Sequence, residues 1–176
     1  MTREVVQVNR APVLTLWAST VAERLGFDHA AAMSLGKALA GINAQTKGQR
    51  LGIYKPAEKP EKAPPRKARV GEEFWVELMG RPIPVVQTDR GVRAVAGDRT
   101  LEPDAVVRYL EGKFGEALES VSRAMEALAK SHQPAELAVK AFTLYEHFRP
   151  EIPEGVRGWG AKGELNLDKI RELTEG

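Results

Sequence analysis

The sequence predicts a mostly helical α+β protein: an N-terminal helical hairpin, a basic proline-rich connector, and a three-stranded antiparallel meander packed with C-terminal helices. Apolar residues recur at helical spacing before residue 50 and again after residue 103, and they alternate with period two between residues 74 and 96. Four prolines interrupt the chain between these regions. We therefore divide the 176 residues into a hairpin module (1–54), a linker (55–69) and a sheet-and-helix unit (70–176).

The hairpin module is predicted from its start and stop signals. A short strand at Val5 to Val8 precedes the first helix, which has Pro12 in its first turn and Gly26 as its stop. The second helix begins after Asp28, a typical N-cap, and ends near Gly48. The first helix should bury a single apolar face made of Val13, Leu14, Trp17, Val21 and Leu25.

The second helix is rich in small residues, which predicts that another backbone approaches it closely. Glycine inside a helix costs about 1 kcal/mol relative to alanine, and this helix contains Gly36 and Gly41. One interpretation is packing against the first helix, and the other is a self-association face that includes Gly36 and Ala40. Two helices alone bury too little surface to be stable, so the hairpin must pack on the C-terminal part or on a second copy of the chain.

The connector carries the strongest charge signal. Residues 47–69 contain eight basic and two acidic residues, a local charge of +6, whereas the rest of the chain has 18 basic and 22 acidic residues, a balance of −4. Because of its prolines, we expect this segment to be extended and exposed. The segment is either a solvated linker, a polyproline ligand, or a salt-dependent nucleic-acid contact. The nucleic-acid interpretation uses Lys47, Arg50, Tyr54, Lys55, Lys59, Lys62, Arg66, Lys67 and Arg69.

The meander is predicted from three runs of alternating residues, 74–79, 83–87 and 92–96, with turns at Gly80-Arg81 and at residues 89–91. Pro82 and Pro84 fall in its middle strand. Either this part of the strand lies at an edge, or pairing begins only at Val85.

Helices should follow from Pro103 and from Pro134, and a short one near residues 167–173. Gly112 and Gly115 predict a kink or break in the first of these. With the meander, the predicted main core consists of Val107, Leu110, Phe114, Val121, Leu128, Phe142 and Tyr145.

A glycine-rich loop is predicted after Pro150. Long loops in small proteins are often functional, and Trp159 favours docking of this one. We take Arg157, Trp159 and Lys162 as candidate interaction residues, with an anion-binding nest as the alternative.

No catalytic residue, metal or cofactor is predicted. The chain has no cysteine, no phosphate-loop or serine-elbow motif, and we expect none of its three histidines to have a second metal ligand one helical turn away. No membrane partner is expected, and without a signal-peptide core at the start we expect a cytoplasmic protein.

The leading functional hypothesis is a non-catalytic binding or assembly module with weak, non-specific nucleic-acid contact through the connector. The alternatives are a protein-directed adaptor or homodimeric scaffold that uses the small-residue helix and the glycine-rich loop, and an enzyme whose site is built from scattered residues.

Overall fold

A computed structural model of the chain describes residues 5–8, 10–50, 71–89, 91–96, 99–150 and 163–175. Its helices are α1 (Arg10–Arg24), α2 (His29–Arg50), α3 (Pro103–Phe114), α4 (Leu118–Lys130), α5 (Pro134–Phe148) and α6 (Leu167–Glu175). Its strands are β1 (Val5–Val8), β2 (Glu73–Leu78), β3 (Arg81–Thr88), β4 (Gly91–Ala96), β5 (Arg99–Thr100) and β6 (Gly163–Asn166). The predicted class, α+β and mostly helical, is confirmed.

The strands form two antiparallel sheets. The predicted meander is present as β2-β3-β4, and the two-residue strand β5 extends it to four strands. The second sheet pairs β1 with β6, so that Val6 faces Leu165 and Val8 faces Gly163. We predicted β1 but not its partner, which falls at the end of the segment predicted as a glycine-rich loop.

The two prolines of β3 lie where this strand has a neighbour on one side only. Pro82 faces Glu77 and Pro84 faces Trp75 on β2, whereas pairing with β4 begins at Val85. Proline has no N–H to donate, so the unpaired side of β3 is where it is tolerated. The first of the two predicted arrangements, in which this part of the strand lies at an edge, is therefore the observed one.

The β2-β3 turn lies one residue earlier than predicted, at Met79 and Gly80. Both residues have positive φ, 51° and 78°, as the two central residues of a type I′ hairpin turn require. Methionine rarely adopts this conformation, and here its side chain is buried, which offsets part of the backbone cost.

Helix α1 lies at the centre of the protein. Its residues from Pro12 to Ala22 are all buried, and it packs against α2, α3, α4 and α5. The prediction of a single apolar face was therefore too narrow. Three polar residues on the other faces are also buried, because the hydroxyls of Thr15, Ser19 and Thr20 each donate to the carbonyl four residues earlier, at 2.9 Å.

The hairpin of α1 and α2 packs on the C-terminal part of its own chain. The Trp17 indole N–H donates to the Ala141 carbonyl at 2.9 Å, and the ring meets Phe148 edge-on with centroids 5.3 Å apart. Near the start of α1, Arg10 Nε donates to the Pro150 carbonyl at 2.9 Å. The hairpin was expected to pack either on the C-terminal part or on a second copy of the chain. The structure shows the first of these, the intramolecular arrangement.

The predicted helix boundaries agree with the structure at several positions. The Asp28 carboxylate accepts from the backbone N–H of Ala31 at 2.8 Å, so the predicted N-cap of α2 is confirmed. Gly115, with a φ of +56°, ends α3, and a single 3₁₀ turn leads into α4. The break predicted from the glycines is therefore present.

Most of the predicted core is buried. The buried members are Leu110, Phe114, Val121, Leu128 and Tyr145. Val107 and Phe142 are half-buried, and Val106 takes the inner position on α3 instead.

Ser34 links α2 to the four-stranded sheet through hydrogen bonds. Its buried hydroxyl donates to the Leu101 carbonyl at 2.5 Å and accepts from the backbone N–H of Ala94 at 2.8 Å.

Substituting Ser34→Ala leaves both backbone groups without this partner, and we expect a loss of about 1–3 kcal/mol in the free energy of unfolding. Urea denaturation measures this loss. Ser120→Ala, on the exposed side of α4, is the matched control and should change stability by less than about 0.5 kcal/mol. Equal effects would contradict the proposed role of Ser34.

Candidate functional site

The basic segment, residues 47–69, begins on helix α2. Lys47 and Arg50 belong to the last turns of α2. The remaining predicted nucleic-acid residues, from Tyr54 to Arg69, lie outside the described residues: Tyr54, Lys55, Lys59, Lys62, Arg66, Lys67 and Arg69.

The chain re-enters the described structure at Gly71, where it is fixed to the meander. The backbone N–H of Gly71 donates to the Gln87 carbonyl at 2.7 Å, and the N–H of Gln87 donates to the Glu72 carbonyl at 3.0 Å. The basic segment is thus connected to the folded body at both ends, through α2 and through the start of β2.

Gly36 and Ala40, two candidate interaction residues, lie inside the protein. A Cβ added at Gly36 would be 2.1 Å from Ser19 Oγ and 2.5 Å from the Thr15 carbonyl oxygen, so the close neighbour of this glycine is α1. Ala40 is buried as well. Packing of the small-residue helix against the first helix is therefore the interpretation that fits Gly36.

Arg157, Trp159 and Lys162 lie outside the described residues. The positions on either side are fixed. Pro150 is buried and its carbonyl accepts from Arg10, while Gly163 is buried and pairs with Val8 in the β1-β6 sheet. Residues 151–162 therefore connect two anchored points of the folded body.

A surface cleft of about 400 Å³ lies beside the end of α1 and the end of α4. It is lined by Thr20, Glu23, Arg24, Glu126, Ala129 and Lys130. Arg24 Nη2 donates to the His132 carbonyl at 3.0 Å. The lining combines two carboxylates with two cations, so its charge favours neither an anion nor a cation, and we assign it no chemistry.

His132 has a partner that we did not predict. Glu136 follows it by four residues, and the two side chains are hydrogen-bonded, with 2.5 Å between Nδ1 and Oε1. The expectation that no histidine has a potential ligand one turn away was therefore wrong. The hydrogen bond to His132 and then the charge of Lys140 lower the pKa of the Glu136 carboxyl below its ordinary value.

A second cluster that sequence reasoning missed joins α2 to α3. The Lys37 ammonium group lies over the Tyr109 ring, 4.0 Å from its centroid. Tyr109 and Lys113 are four residues apart on α3 and so share a face. The i, i+4 spacing was readable in the sequence, but nothing local placed Lys37 against it.

Within the described residues, no group of three or more histidine, aspartate or glutamate side chains is arranged to hold a metal ion. In the same part of the chain, none of the helices combines the length and the apolar character needed to cross a bilayer. Comparison of the chain with protein-family models, with curated proteins and with solved structures gave no match.

Proposed function

We propose that this protein is a non-catalytic binding module whose basic segment, residues 47–69, contacts the phosphate backbone of a nucleic acid. The observation that carries the proposal is the separation of charge along the chain, +6 in this segment against −4 elsewhere. Attraction of this kind depends on phosphates rather than bases, so the contact is weak, independent of sequence and lost as salt is added.

The structure adds a physical reason to expect such a contact. Both ends of the segment join the folded body, since Arg50 closes α2 and Gly71 is hydrogen-bonded to Gln87. Holding the ends of a charged segment reduces the conformational freedom that binding would otherwise remove. The prolines reduce it further, because each fixes one backbone dihedral.

A fluorescence-anisotropy titration with a labelled single-stranded oligonucleotide tests the proposal. Between four and eight phosphate contacts give a slope of log K against log salt concentration of about −3 to −6. Substituting Lys59, Lys62, Arg66 and Lys67 with glutamine should reduce the magnitude of this slope by about 3 and weaken binding at low salt more than tenfold.

The matched control removes four cations from the folded body: Arg108, Arg123, Lys130 and Lys140, all exposed, each replaced with glutamine. Both variants lower the formal net charge from +2 to −2, so they differ only in where the charge is lost. The control should bind within a few-fold of the wild type. Equal weakening of both variants, or no salt-dependent binding by the wild type at micromolar concentration, would overturn the proposal.

A protein-directed adaptor or homodimeric scaffold is the second candidate. The observation in its favour is that residues 151–162, with Arg157, Trp159 and Lys162, connect two anchored points, at Pro150 and Gly163. Light scattering tests the homodimer form of this candidate. A dimer would have twice the 19.3 kDa mass of the chain, and substituting the three residues with alanine would return it to a monomer. A wild-type monomer at all concentrations would exclude it.

A further inference from the structure

The cluster of Lys37, Tyr109 and Lys113 consists of a lysine over an aromatic ring and a second lysine one helical turn after that ring. Burial of Lys37 and the neighbouring charge of Lys113 both lower the pKa of the Lys37 ammonium group. Neither lysine belongs to an ion pair with any described residue. Two neighbouring ammonium groups that form no ion pair with a described carboxylate favour the binding of an anion.

Tyr109 determines where the Lys37 charge lies. The ring is half-buried between α2 and α3, and the ammonium group covers one of its faces at 4.0 Å. This cation–π contact holds a flexible lysine in place. The same contact occupies the face on which a base would stack, so the cluster is suited to a phosphate rather than to a nucleobase.

The cluster lies on the helix that leads into the basic segment. Lys47 follows Lys37 by ten residues of α2, about 15 Å along the helix axis. Successive phosphates of one duplex strand are about 3.4 Å apart along the axis, so a few nucleotides span this distance. The cluster and the start of the basic segment are therefore separated by a few nucleotides along the axis of α2.

We propose that Lys37 and Lys113 form a second phosphate-binding point, with Tyr109 as the residue that positions Lys37. The proposal rests on the proposed function and adds a site on the folded body to it. Nucleic acid follows α2 from this cluster to the basic segment.

The double variant Lys37→Gln/Lys113→Gln tests the site in the anisotropy assay. Loss of two phosphate contacts should reduce the magnitude of the salt slope by about 1.4 and weaken binding about three- to tenfold. Lys130→Gln/Lys140→Gln removes the same charge from exposed positions elsewhere and should leave binding within twofold. Tyr109→Phe keeps the ring and should retain affinity, whereas Tyr109→Leu should weaken binding as Lys37→Gln does.

Lysine acetylation followed by mass spectrometry gives an independent readout on the wild-type protein. Bound oligonucleotide should protect Lys37 and Lys113, and leave Lys130 and Lys140 as reactive as before. If the lysine variants bind like the wild type and Lys37 stays unprotected while the basic-segment variant loses affinity, this site is wrong and the proposed function stands. If the wild type itself does not bind, both are overturned.

Discussion

Substituting Trp17→Ala is expected to lower the free energy of unfolding by about 3–5 kcal/mol. The side chain is fully buried at the centre of the structure, its N–H donates to the Ala141 carbonyl, and its ring packs against Phe148. Domains of this size are stable by about 5–15 kcal/mol, so the variant retains little of its stability. Urea denaturation followed by circular dichroism measures the change.

Two further variants keep this prediction testable if Trp17→Ala does not fold. Trp17→Phe retains an aromatic ring beside Phe148 and should lose less stability than the alanine variant. Trp75→Ala, at a half-buried position on β2, removes the same side chain from the surface of the meander and should have a smaller effect. A Trp75 effect as large as that of Trp17 would contradict the central position of α1.

Two glycines of α2 should respond to alanine with opposite signs. Gly36→Ala places a Cβ 2.1 Å from Ser19 Oγ and 2.5 Å from the backbone oxygen of Thr15, and backbone cannot move aside cheaply. We expect a loss of about 1–3 kcal/mol from this overpacking. Gly41 has no neighbouring atom within 4 Å of an added Cβ, so Gly41→Ala should gain up to about 1 kcal/mol through helix propensity.

The same pair separates intramolecular packing from self-association. If Gly36 contacts α1 of its own chain, the loss in Gly36→Ala is the same over a hundredfold range of protein concentration. A loss that appears only at high concentration would place a second copy of the chain against this glycine. Thermal unfolding at several concentrations measures both variants side by side.

Local signals predicted the parts of the fold that depend on one residue and its immediate neighbours. Asp28 caps α2 because its carboxylate reaches the N–H of Ala31 three residues later. Gly115 ends α3 because its backbone adopts a positive φ. These devices operate within a few residues and are therefore visible in the sequence.

Long-range features were missed for a physical reason. Strand β6 pairs with β1 across more than 150 residues, and its glycine-rich surroundings resemble a loop. The burial of α1 on all its faces from Pro12 to Ala22 was hidden by Thr15, Ser19 and Thr20, whose hydroxyls are compatible with a core only because they bond to their own helix. Hydrophobic periodicity locates apolar residues only. Because these three residues are polar, the pattern could not predict that they are buried.

The candidate site likewise combines one feature that the sequence shows with one that only the structure shows. The charge of the basic segment can be read from the sequence. Beyond Arg50 its residues lie outside the described part of the chain, so their assignment to the candidate site depends on the charge pattern alone. The Lys37–Tyr109 contact joins residues 72 positions apart and depends on how α2 packs against α3. Only the structure brings them together.

Helix α1 is buried within its own chain, and this arrangement explains the stability of the hairpin without a partner. Native-state hydrogen exchange of the α1 amides tests this directly. We predict that the amides of residues 13–22 exchange among the slowest in the protein, at rates that do not change with protein concentration. Rapid exchange throughout α1, or protection that increases with concentration, would contradict the account.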